Sequence, residues 1–276
     1  MSRFQSFFRS FAAGAAALSL VSLAGPAEAH RMWLHPSATV LSGEDPWLIV
    51  DGAIANELFY FEYYALPLEG LAITAPDGTS AEPQNLNHGH YRSSFEVQLV
   101  QDGTYKVAVA QDAAFAKYMQ DGETKYWRGM AGEIGSAIPA GAEEAEVTHL
   151  ERRFEVFATV GAPTETVFTP TGKGLEMVPV THPNDLFAGE EATFKLLLDG
   201  APAAGLDVEI VKGGSRYRDA AGGETVTADS EGLFSFTWPE AGMYWLGAET
   251  VDENTGIPGA QKRNASYSAT LEVLPQ

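Results

Sequence analysis

The feature that most constrains this chain is the placement of apolar residues at every second position in short runs, each closed by a turn signal. Phe234, Phe236 and Trp238 alternate with Ser235 and Thr237, directly after Asp229-Ser230-Glu231-Gly232. Phe95, Val97 and Leu99 alternate with Ser94, Glu96 and Gln98, and Gln101-Asp102-Gly103 then turns the chain into Tyr105, Val107 and Val109. Side chains along an extended strand point alternately to opposite faces, so this pattern describes strands with one buried side. Leu71 to Thr74 before Ala75-Pro76-Asp77-Gly78, and Phe194 to Leu198 before Asp199-Gly200, repeat it. No run carries a long apolar stripe at helical spacing, and Ala113 to Met119 offers one or two helical turns at most. Short strands at such regular spacing predict an all-β chain built from sandwiches.

The sequence predicts two β-sandwich domains of immunoglobulin or transthyretin type after an N-terminal signal peptide, at residues 30–165 and 175–276. Residues 111–146, rich in Gly, Ala and Glu, read as a long and partly irregular insertion in the first domain. The Thr-, Pro- and Gly-rich stretch 161–174 reads as a hinge.

Residues 1–29 have the pattern of a removable export signal. Arg3 and Arg9 precede an apolar stretch from Phe11 to about Ala24, and Pro26-Ala27-Glu28-Ala29 supplies a small-residue cleavage site. The apolar stretch is short of the ~20 residues a membrane-spanning helix needs. The expectation is a periplasmic protein, not a permanent membrane protein, with His30 as its first residue. A histidine at a free amino terminus offers an amine and a ring nitrogen that can chelate a transition metal together.

Composition narrows the chemistry. A formal charge of −20 with no Lys/Arg run excludes a nucleic-acid binder, because phosphate neutralisation needs clustered cations. The absence of cysteine excludes thiolate metal sites and leaves six histidines as the candidate ligands. His88-Gly89-His90 would present two rings to one side of a strand, on the polar parity shared with Arg92, Ser94 and Glu96. His182, in Thr181-His182-Pro183-Asn184-Asp185, lies where the second domain begins. The candidate metal ligands are therefore His30, His88, His90 and His182, with nickel(II) or copper(II) as the ion. His149 shares a parity with Glu151 and Arg153 and is expected on an exposed sheet face, and His35 joins His30 only if the chain folds back. Met119, Met130, Met177 and Met243 are scattered and form no thioether cluster. Tyr60, Phe61, Tyr63 and Tyr64 read as strand core and edge. No nucleophile elbow, phosphate-binding glycine loop or H-E-x-x-H is present, so no enzyme is expected.

Two stretches carry a resemblance. Asp199 to Leu246, with "TADSEGLFSFTWPEAGMYWL" at its end, resembles transthyretin-like or carboxypeptidase-regulatory-like modules. "HRMWLHPS" (His30 to Ser37) together with "LEMVPVTHPNDL" (Leu175 to Leu186) is similar to a NikM-like family of exported bacterial proteins, domain of unknown function 4198. That resemblance implies a part in nickel or other metal uptake beside an envelope transporter. The expected function is a periplasmic accessory protein that binds a transition-metal ion or its chelate and assists uptake. The alternative is a structural or adhesive sandwich module that docks an envelope transport partner without metal. A copper enzyme with a terminal histidine brace is the third reading.

Overall fold

The computed structural model describes residues 30–219 and 222–276, so the export-signal reading lies outside the described residues. The chain is all-β, as the alternation predicts. Among the described residues the strands form three sheets: one of five strands, one of ten and one of four.

The ten-stranded sheet is the frame. Its centre is the strand Glu143–Val160, which pairs antiparallel with Gly103–Gln120 on one side and parallel with Lys262–Val273 on the other. Because side chains alternate along a strand, the two faces of this central strand face different neighbours. Phe154, Val156, Ala158 and Val160 join a core with Leu48, Val50, Phe95 and Val97 from the five-stranded sheet. Phe157 points the other way, into a core with Phe194, Phe234 and Phe236 from the four-stranded sheet. The strand Gly242–Asp252 repeats the division, with Tyr244 and Leu246 in the second core and Trp245 in a third cluster with Trp33. Two sandwiches thus share one sheet and lie on its opposite faces.

The two halves are also joined by polar contacts. Ser268 and Thr270 donate through their hydroxyls to the carbonyls of Met32 and Leu34 at 3.2 and 2.5 Å, and the Trp245 indole N–H donates to Met32 at 3.1 Å. The 161–174 stretch is tied down rather than open. The Glu176 carboxylate accepts N–H groups of Thr171 and Gly172 at 2.8 and 2.7 Å, and Val167 is buried in the second core.

Two expectations change. Ala113 to Met119 is not helical; it belongs to the 18-residue strand Gly103–Gln120. The 111–146 segment is mostly regular: that strand continues as an arm, reverses into Glu123–Met130, makes two short helical turns and returns in Glu143–Val160. Alternating Ala114, Ala116 and Tyr118 bury one face of the arm against Ile134 and Val147, with Ile257 and Ala260 packed on. Small alternating residues served a covered sheet face here, and Ala carries no strand signature of its own.

Candidate functional site

One end of the five-stranded sheet gathers aromatic and imidazole rings. The strand Arg31–Pro36 pairs with Trp47–Ala55, and the two-residue strand Tyr64–Ala65 pairs with the far end of the latter. The His30 ring, just ahead of the first strand, stacks on Tyr63 with centroids 3.8 Å apart. Tyr63 meets Tyr64 edge-on at 4.4 Å. The N–H of Ala65 donates to the carbonyl of His90 at 3.2 Å, and the His90 ring meets Tyr91 at 4.6 Å. His30, Tyr63, Tyr64, His90 and Tyr91 all remain exposed. Behind them Trp33, Phe59 and Phe61 pack ring against ring, and the Arg92 guanidinium lies 5.2 Å from the Phe61 centroid.

His88 and His90 are not on one strand face. The strand Gln84–His88 pairs antiparallel with Ser93–Gln98, so a reversal separates His88 from Ser93 and His90 sits within it. The even-numbered parity of Arg92, Ser94 and Glu96 therefore does not extend back to the histidines. Tyr91, in the same reversal, is exposed. The turn nevertheless gives His88 a defined tautomer. The Ser93 hydroxyl donates to the Leu66 carbonyl at 2.7 Å, and the His88 Nδ1 lies 2.8 Å from the Ser93 hydroxyl oxygen. With the hydroxyl hydrogen already committed, Nδ1–H is the donor, and Nε2 presents its lone pair. Fixing a ring through its second nitrogen is how proteins orient metal-binding imidazoles.

His182 is held differently. The N–H of Asn184 donates to Nδ1 at 3.1 Å, so Nε2 carries the hydrogen and donates to Thr104 Oγ1 at 2.9 Å. The Thr104 hydroxyl bonds Thr159 at 2.9 Å, and the Thr159 hydroxyl donates to Asn184 Oδ1 at 2.8 Å. The ring of bonds closes, and neither imidazole nitrogen has a free lone pair. Burial holds the His182 ring below the ordinary histidine range. It fastens the Thr181 to Asp185 turn to the shared sheet.

His149 departs from expectation: it is buried, not exposed. Its Nε2 lies 2.7 Å from Asp112 Oδ1. Parity with Phe154 puts the cover on the Leu150 face, but at this row the covered face is the opposite one, which His149 shares with Val147 and against which Ile257 and Ala260 pack. His35 packs against Phe59 at 4.7 Å, and burial lowers its affinity for a proton. Tyr63 and Tyr64, read as core and edge, form the exposed surface beside His30. Among the described residues, no group of three or more His, Cys, Asp or Glu side chains is arranged to hold a metal ion. No helix among the described residues is long and apolar enough to cross a membrane.

Residues 27–252 match the family described as Domain of unknown function (DUF4198). The chain belongs to that family. A comparison with curated proteins found no match. Among solved structures, the chain is similar to the human OSCAR ligand-binding domain at 12% identity, covering 89% of this chain and 100% of that one, with a TM-score of 0.22. An Escherichia coli alpha-2-macroglobulin activated by porcine elastase matches at 13% identity over 90% of this chain and 20% of its own, with a TM-score of 0.22. The D0-D1 domain of Intimin matches at 10% identity over 87% and 97%, with a TM-score of 0.21.

Proposed function

We propose that this member of the family is a non-enzymatic, exported binding protein whose recognition surface is the ring cluster around His30, and that it takes a nickel(II) or copper(II) chelate rather than the bare ion. A bare divalent ion needs three or four protein donors for tight binding, and the described residues assemble no such set. A chelate brings most of its own donors and needs one or two imidazoles from the protein. His30 and His90 reach the same sheet end through Tyr63, Tyr64 and Ala65, beside exposed ring faces on which a flat chelate can stack. The stacking of His30 on Tyr63 is the observation that carries this reading. His88, with Nε2 presented, is the nearest further donor in the sequence, whereas His182 is withdrawn as a ligand because both its nitrogens are engaged. A NikM-like role beside an envelope transporter in the periplasm fits a carrier of this kind.

Calorimetry on the chain beginning at His30 tests it, using copper(II) and nickel(II) alone and as their complexes with free histidine. One chelate per chain, bound more tightly than the bare ion and weakened about tenfold by Tyr63→Ala, is the expected result. Equal affinity for ion and chelate, or indifference to Tyr63→Ala and to an extra residue ahead of His30, sinks the reading.

A second reading rests on a different observation. The strand Gln84–His88 lies at an edge of the five-stranded sheet, and all five of its residues are exposed, Leu86 included. An open edge can accept a strand from an envelope partner, as a metal-free docking module would. Partner capture that survives chelators and is lost on Leu86→Lys would favour it.

A further inference from the structure

The arm leaves one face of the large sheet uncovered. On the strand Glu143–Val160, the row containing Phe154 is the last to enter the core beneath the five-stranded sheet. The next rows on the same face hold Arg152 beside Gln111 and Ser266, Leu150 beside Ala113 and Asn264, and Thr148 beside Phe115 and Lys262. Arg128 lies opposite Phe115 on the neighbouring strand, its guanidinium 6.0 Å from the Phe115 ring, and Tyr126 stacks on that ring at 6.1 Å. The arm's opposite face is the one sealed by Ile134, Ile257 and Ala260. On the open face, Phe115, Arg128, Leu150, Val251, Lys262 and Asn264 enclose a groove of about 250 Å³.

The charge of this groove opposes that of the chain. In a protein of net charge −20, two of the 17 cationic side chains, Arg128 and Lys262, line it, and Arg152 stands in the adjoining hollow, beside Asp112 and Glu151 but near enough to Arg128 to feel its charge. No ion pair joins Arg128, Arg152 or Lys262 to a carboxylate among the described residues. Burial and the neighbouring Arg128 lower the Arg152 proton affinity to about 10, with exposed Glu249 opposing weakly. A half-buried guanidinium without a counter-ion is costly, and a bound anion relieves it.

From the convergence of these cations on a groove walled by Phe115, Leu150 and Val251, we infer that this face binds a small aromatic carboxylate. The apolar walls take the ring, and Arg128, Arg152 and Lys262 take the carboxylate, with Asn264 as a further donor. The volume falls just under the ~300–1,000 Å³ of ordinary ligand pockets, which suits a single-ring molecule. Guanidinium groups match a carboxylate in a planar, two-pronged geometry. This site is independent of the metal-chelate reading: none of its residues belongs to the His30 cluster.

Benzoate is the probe, titrated into the purified protein by calorimetry and by amide chemical-shift mapping. Saturable one-to-one binding is expected, with shifts centred on residues 113–115, 148–152 and 262–264. Arg152→Gln and the exposed Lys262→Gln should each weaken it about tenfold, the loss expected of a charge-assisted hydrogen bond. Arg216→Gln, which removes a cation stacked on Tyr60 elsewhere, should leave it unchanged. Absence of binding, equal binding of neutral benzamide, equal binding of inorganic phosphate, or equal weakening by Arg216→Gln overturns the inference. Lys262→Gln keeps the test decisive even if Arg152→Gln fails to fold.

Discussion

His182 Nε2 lies 2.9 Å from Thr104 Oγ1, and this bond closes a ring through Thr159 and Asn184 that joins the second sandwich's entry turn to the shared sheet. The neutral imidazole is required, because Nδ1 accepts a hydrogen bond that a protonated ring would refuse. His182→Ala should cost about 1–3 kcal/mol, the penalty for stranding buried partners. The pH dependence has a definite sign. Burial depresses the folded-state pKa, so the unfolded chain takes up the proton first. The stabilisation is full above the unfolded value of about 6.5 and is lost as pH falls through the folded one. Urea midpoints at pH 7.5 and pH 5 should therefore differ less in His182→Asn than in the wild-type chain. An unchanged pH slope would refute the role assigned to the ring.

Arg263 is 3% exposed and holds three carboxylates. Its guanidinium meets Glu151 and Asp199 at 2.9 Å, and Asp252 at 2.5 Å. The strand pairing places Arg263 beside both His149 and Asp252, so it ties the central strand to two others. Replacing it with Met should cost about 1–3 kcal/mol, since three acidic groups, each about a third exposed, would remain without their cation. Hydrogen bonds from Arg263 hold Asp199 and Asp252 below the usual carboxylate range. Their stabilising effect is present above the unfolded value of about 3.9 and disappears as pH falls through the folded ones. Acid unfolding of Arg263→Met should be correspondingly shallower below pH 4, as followed by circular dichroism.

Gly247 lies beneath the Trp245 ring. A Cβ built there would stand 1.9 Å from the indole. That ring donates to the Met32 carbonyl and lies 5.5 Å from the Arg31 guanidinium, so its position affects the junction of the two larger sheets. Gly247→Ala should displace the indole, cost about 1–3 kcal/mol and shift the tryptophan emission. Unaltered emission and stability would mean that the ring moves aside freely.

The alternation of apolar residues made the strands legible, because period two is a local property. What it could not reveal is which strands share a sheet. Phe154 and Phe157 look like a broken pattern in one strand; they serve two cores on opposite faces of it. Nor does parity show that the covered face changes along the arm, where His149 is buried on the side of Val147. Within the site, His30 and His90 were visible as residue types, but their approach depends on Tyr63 to Ala65, whose two-residue strand is too short to carry a periodic signal. The reversal between His88 and Ser93 has no local signature, because His88-Gly89-His90 fits an alternating strand as well as a turn. The cationic groove had no signature at all: Arg128, Arg152 and Lys262 come from three different strands, and only the pairing brings them together.

The bond between His88 and Ser93 gives the chelate reading its most specific consequence. Ser93 is buried, and its hydroxyl hydrogen is engaged by Leu66, which leaves the oxygen to accept from His88 Nδ1. Ser93→Ala removes that acceptor without changing any proposed donor, so the ring can rotate and exchange tautomers. If His88 contributes a ligand, loss of this outer support should lower affinity for the copper(II)–histidine complex about tenfold, within the range seen when second-sphere partners of metal-bound imidazoles are removed. His88→Ala should weaken binding by at least as much, and the double variant should add little to it. Thermal unfolding of both variants separates this from a folding defect, and the proton-detected ring resonances of His88 report the tautomer directly. If Ser93→Ala releases the ring while chelate affinity stays at the wild-type value, His88 is outside the site, and recognition falls to His30, His90 and the tyrosines between them.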